Sequence, residues 1–357
     1  MPGLAAGLAY PTMMATPAST WRWSLPASWA RSPALRFSIT GTSARTGFPR
    51  QHRNRLRSVR FVLLWFALPA CSGISGNAEN QSPDVVQTGT LQNAAIGEAS
   101  GLARSNLSED LLWVINDGGS APVLHAIGTD GSDRGSVRLM NAVNVDWEDL
   151  ASFEAGGKSW LLVADVGDNA GTREHVSLYL VEEPVLPPGG PVPARQIRFA
   201  YPDGPRDAEA VAVDVENQQV MILSKRTIPA ALYAVPLQDS EGEATIAVRL
   251  GEVAGIPQPG AEDLEQALAN NDWHWQPTGM DISAEGMSAV ILSYRAIYRF
   301  RRNAGESWIA ALQAAPTVHS LGNIREAEAV SFDISGLGVF VTVEQRQAPL
   351  YWFEIAR

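Results

Sequence analysis

Cysteine is almost missing: the chain of 357 residues holds one, Cys71. No disulfide can form within it, and the zinc motifs built on paired thiolates are excluded. Histidine is scarce as well. Beyond residue 71 there are His125, His175, His274 and His319, none in an H-E-x-x-H arrangement. A G-x-S-x-G elbow and a P-loop are also absent, which removes the common signatures of serine hydrolases and nucleotide binders. Acidic residues are missing from 1–71, a stretch that holds nine of the 27 Lys+Arg. The remainder therefore carries 27 − 9 = 18 basic and 38 acidic residues, a net of −20. That charge argues against nucleic acid as a partner. It favours a cation, or an anion only at a local basic spot.

The one longer apolar run, FVLLWFAL at 61–68, is too short to cross a bilayer. It follows Arg57 and Arg60 and leads into Pro69-Ala70-Cys71, the order of a secretory signal. The stretch LPAC at 68–71 resembles a bacterial lipobox, departing from it at Pro69. The resemblance implies lipidation of Cys71 and an exported protein anchored to the bacterial cell envelope. A soluble periplasmic or secreted protein with an incidental cysteine is the alternative. Residues 1–55 are Arg-, Ser-, Ala- and Pro-rich without periodicity and read as disordered. They are either an upstream extension of the reading frame or a transit peptide. Residues 72–84 read as a flexible tether.

From residue 84 onward helical periodicity is the missing feature. Short apolar runs are split by Gly, Pro, Asp and Asn, and one unit recurs five times. It opens as EASGLA at 98–103, DWEDLA at 146–151, DAEAVA at 207–212, QPTGMD at 276–281 and EAEAVS at 326–331. A second apolar strand follows, ending near Asp117, Asp165, Arg226, Arg295 and Gln345, each 17 residues after the third position of its opening. A third strand starts on an apolar residue followed by His125, Tyr179, Tyr233, Tyr298 or Tyr351. Fourth strands fit 134–140 and 245–253, while the fifth unit stops after its third strand. The orphan run VVQTGTL at 85–91 would supply the missing outer strand and close a ring. The expectation is an all-β, five-bladed β-propeller over 85–357, with six blades as the alternative. Residues 261–272 read as a helix or long loop between blades three and four.

The first strand of a propeller blade lines the central channel, and alternate residues share a face. Glu98, Asp146 with Glu148, Asp207 with Glu209, and Glu326 with Glu328 would then meet at one mouth. The antiparallel second strand returns Asn116, Asp117, Asp165, Lys225, Arg226, Tyr294, Arg295, Glu344 and Arg346 to that mouth. Trp147 would face the neighbouring blade. So many carboxylates raise one another's pKa unless a cation compensates, and hard oxygen ligands favour Ca²⁺ or Mg²⁺. Each acid has a purely structural alternative, bonding backbone N–H groups or pairing with Arg. In LLVADVGDNAG at 161–171, Asp165 occupies a slot of the repeat, while Asp168 and Asn169 either complete a cation shell or form the turn. Trp273 and Trp275, before blade four, either stack a ligand at the rim or pack on their own blade. His125 reads as a packing residue.

The runs DWEDLA, LVADVGDNAGTREHVSLYLVEEP at 162–184, YPDGPRDAEAVAVD at 201–214 and EAVSFD at 328–333 resemble a widespread, uncharacterised family of exported bacterial β-propeller proteins. More distantly, the Glu-Ala-Val openings and Leu-Tyr strands look like phytase-like and gluconolactonase-type propellers. That resemblance implies divalent ions in the channel and hydrolysis of phosphate esters or lactones. Asp146, Glu148, Asp165, Glu209 and Glu328 are the metal-ligand candidates. Lys225, Arg226, Tyr294 and Arg295 are the candidates for holding a small anionic or polar ligand. In the hydrolase form Glu148 or Glu209 would activate water. A scaffold that binds an envelope protein or polymer is the rival class.

Overall fold

Each unit of the repeat is too short to bury its own apolar faces, so neighbouring units must cover them. In a computed structural model of the chain, which describes residues 85–238, 243–270 and 274–356, five twisted antiparallel sheets form the blades of a propeller. The inner strands are Ala99–Arg104, Trp147–Ala155, Ala208–Asp214, Pro277–Ile282 and Ala327–Phe332. Each is followed by the second and third strands that the repeat predicts. The cores lie between blades. Trp113, Trp147, Leu150 and Tyr179 fill the space between blades one and two, and Phe199, Val211, Ile222 and Tyr233 that between two and three. Trp147 is fully buried, in the blade-to-blade role expected of it.

Ring closure follows the expectation. Val85–Thr90 pairs antiparallel with Pro349–Glu354, so the first strand of the domain completes the last blade. Two outer segments differ from the sequence reading. The run 245–253 divides at the buried Ala247. Thr245–Ile246 pairs in parallel with blade two, and only Val248–Glu252 belongs to blade three. Likewise Val192–Pro193 pairs in parallel with the outer strand of blade one. The cause is local: Ala247 donates its N–H to Ala200 O and Ala194 its own to Met140 O, stitching each connecting segment onto the preceding blade.

The insertion before blade four contains the helix Ala261–Asn270. His125 is buried, with Nδ1 at 2.9 Å from Ser136 Oγ, and packs as expected. Cys71, the signal-like run, the tether and Trp273 lie outside the described residues.

Candidate functional site

One backbone irregularity builds the mouth. In all five blades the pairing of inner and second strand slips by one residue at the same repeat position: Ser100, Glu148, Glu209, Thr278 and Glu328. A bulge leaves its extra residue outside the ladder and re-aims the side chain. At Ser100 and Thr278 that side chain is a hydroxyl. Each donates to a carbonyl of the next blade's inner strand, Trp147 O at 3.0 Å and Ala327 O at 2.9 Å. The other three bulges carry a glutamate.

These glutamates meet the residues that end or follow the second strands. Asp117, Asp146 and Glu148 each place a carboxylate oxygen within 4.8 Å of the others, and Glu148, Asp207 and Glu209 do the same. Glu148 belongs to both groups. Its side chain is 7% exposed, and no described residue donates a hydrogen bond to its carboxylate. Two glycines make the space. A Cβ on Gly167 would overlap Glu148 Oε1 and come within 2.6 Å of Asp146 Oδ2, and a Cβ on Gly118 would collide with Asp146 Oδ1.

The opposite arc is occupied by donors. Lys225 Nζ donates to Glu209 Oε1, lies 3.5 Å from Tyr294 Oη and sits 5.7 Å from that ring's centroid. Tyr294 in turn donates to Glu328 Oε1 at 2.7 Å. Arg226 Nε donates to Asp207 Oδ2 at 2.7 Å, and its Nη2 reaches Asn169 Oδ1. Arg295 is exposed at the end of blade four's second strand, and Glu98, Glu326 and Arg346 are exposed on the same mouth.

The loop after Asp165 is held by its own side chains. Asp165 Oδ1 accepts from Arg173 Nη2 at 2.8 Å and from the Asp146 N–H at 3.1 Å. Asp168 accepts the N–H groups of Thr172 and Arg173, both at 2.9 Å, while its own N–H donates to Asp207 Oδ1. Asp165 and Asp168 therefore shape the turn, and Asp165 stands outside both three-carboxylate groups.

Burial and mutual repulsion move the titrations upward. Burial, then Asp117, pushes Asp146 up to about 6, with Arg173 opposing. Burial, then Glu209 and Asp117, raises Glu148. Burial raises Glu209 even against Lys225. Burial and the Glu328 charge bring Glu344 up to about 7. Burial also raises Asp117, Asp165 and Glu328. For Lys225 burial pulls downward, but Glu209, Glu328 and Glu148 outweigh it and favour the ammonium.

Deeper in the channel stand two carboxylates that reading by residue type passes over. Asp149, fully buried, accepts from Leu150 N at 2.8 Å, from Val211 N at 2.7 Å and from Met280 N at 3.1 Å, joining blades two, three and four. Asp281 accepts from Phe332 N at 2.8 Å and from Ser331 Oγ at 3.3 Å, and Ser331 Oγ accepts from Arg104 N at 2.9 Å. Through these bonds the hub reaches all five blades. Trp275, the described member of the tryptophan pair, is buried, which fits packing better than a rim position.

No protein-family model and no curated protein matches the chain. A solved structure described as a luciferin-regenerating enzyme is similar at 10% identity, covering 76% of this chain and 95% of its own, with a TM-score of 0.39. At that similarity it bears on neither the site nor its chemistry.

Proposed function

We propose that this is an exported propeller, lipid-anchored through Cys71, whose acidic mouth binds a divalent cation and, beside it, a small polar or anionic ligand. The observation that carries the cation is Glu148. An ionised carboxylate that is buried, surrounded by other acids and given no hydrogen bond is costly unless a cation balances it. Asp117 and Asp146 complete an all-oxygen niche around it, and Gly118 and Gly167 leave it open. Such donors suit Ca²⁺ or Mg²⁺. Glu209 and Glu328 face donors instead, Lys225 and Tyr294, and Asp165 faces Arg173. These three support the niche from a second layer. An anionic ligand reaches so acidic a mouth only against the cation, with Lys225, Tyr294, Arg226 and Arg295 bounding the far side.

Hydrolysis of a phosphate ester or lactone is the catalytic form of this reading. In that form Glu148 would serve as a ligand of the cation, and Glu209, which burial raises even against Lys225, is the carboxylate left to activate water.

Melting of the protein against added Ca²⁺ or Mg²⁺ tests the cation. At a concentration ~100-fold above Kd the wild type should gain about 2.7 kcal/mol, a rise of roughly 5 °C for a domain of this size. Glu148→Gln should lose most of that rise. An undiminished rise in this variant would remove the site from consideration.

A further inference from the structure

The two carboxylate niches differ in what already faces them. Among the described residues no lysine or arginine forms an ion pair with Asp117, Asp146 or Glu148. The second niche has two such partners: Arg226 on Asp207 and Lys225 on Glu209. They approach differently. The Arg226 side chain is 45% exposed and meets Asp207 from the solvent side, whereas that of Lys225 is 10% exposed and enters among the acids. Lys225 Nζ is bonded to Glu209, faces the charges of Glu328 and Glu148, and lies beside the Tyr294 hydroxyl and ring.

The residue type is informative. Of the 27 basic residues only Lys158 and Lys225 are lysines. A guanidinium is a broad planar fork, whereas an ammonium is a compact point charge that presents donors to several oxygens at once. The shape required at 225 is that of a small cation.

We propose that the Lys225 ammonium is a built-in cation filling the second niche, so that the mouth takes one divalent ion and gains a second, at Glu148–Asp207–Glu209, when Lys225 is made neutral. This rests on the cation reading of the first niche given above. Removing the ammonium leaves Glu148, Asp207 and Glu209 within reach of one another, with only Arg226 to balance them. Two ions sharing Glu148 would stand about 4 Å apart, the separation of two-metal sites.

The test is the stoichiometry of Ca²⁺ by calorimetric titration of the full chain, with Mn²⁺ paramagnetic resonance as an independent readout. Wild type should bind one ion and give the spectrum of isolated Mn²⁺. Lys225→Ala and Lys225→Gln should each bind two, with a spin-coupled Mn²⁺ pair. Lys225→Arg, which keeps the charge, should stay at one. One ion in wild type and one in both neutral variants would overturn the built-in cation while leaving the first site standing. Two ions in wild type would overturn it directly, even if neither variant folds. No ion in wild type but one in the neutral variants would support the role of Lys225 and refute the first site. No ion in any of these proteins would refute both.

Discussion

Glu148 gathers the constraints of the mouth on one side chain. It is the bulged residue of blade two, the member common to both carboxylate groups, and a buried acid to whose carboxylate no described residue donates a hydrogen bond. Its position depends on a neighbour that contributes no side chain. Gly167 lies so close that a Cβ there would occupy the place of Glu148 Oε1. Gly167→Ala should displace the Glu148 and Asp146 carboxylates and weaken cation binding at least tenfold, about 1.4 kcal/mol. Calorimetric titration with Ca²⁺ measures this, and unchanged affinity would mean that the niche does not need that space. Asp165 illustrates the opposite case. Its slot in the repeat invites a ligand role, but Arg173 and the Asp146 N–H take up its oxygen.

At the scale of the strand, the repeated bulge decides which acids reach the channel. Strict alternation puts Asp149 on the face of Trp147, away from Glu148. The slip between Trp147 and Asp149 breaks that parity and turns Asp149 toward the axis, where it accepts from the inner strands of blades three and four. Asp149→Ala should leave buried N–H groups unpaired at about 1–3 kcal/mol each. Chemical denaturation should therefore show a loss of about 3 kcal/mol or more, whereas a loss under 1 kcal/mol would contradict a hub role. Much of this architecture was legible in the sequence. The 17-residue spacing placed Asp117, Lys225, Tyr294 and Glu344 at the mouth, and the orphan run at 85–91 announced the closing strand. The hub was not legible, because a bulge leaves no mark in composition and the partners of Asp149 lie 62 and 131 residues away. Nor was Arg173 visible as the partner of Asp165, since that pairing depends on how the turn folds back.

For the molecule as a whole, closure removes the open sheet edges and leaves an acidic mouth on a domain already rich in negative charge. Its stability should therefore depend on pH in a specific direction. Asp146 is raised to about 6 and Glu344 to about 7, with Glu148 and Glu209 also raised, so the folded state holds protons that the unfolded chain has released. Their contribution is complete below the unfolded pKa values, about 4, and is lost as pH rises through the folded ones. Buried His125 and His319, both lowered chiefly by burial, act oppositely as pH falls below about 6.5. From pH 6.5 to 8, melting in chelator should thus move downward, and the rise on adding Ca²⁺ should grow because its ligands are then deprotonated. A chelated melting point that climbs over this window would contradict the linkage. The central claim, a divalent cation held by Asp117, Asp146 and Glu148, is tested most directly by anomalous diffraction from crystals soaked in Mn²⁺. A peak bounded by those three carboxylates is expected, and a soaked mouth without a peak there, or with its peak elsewhere, would contradict that assignment.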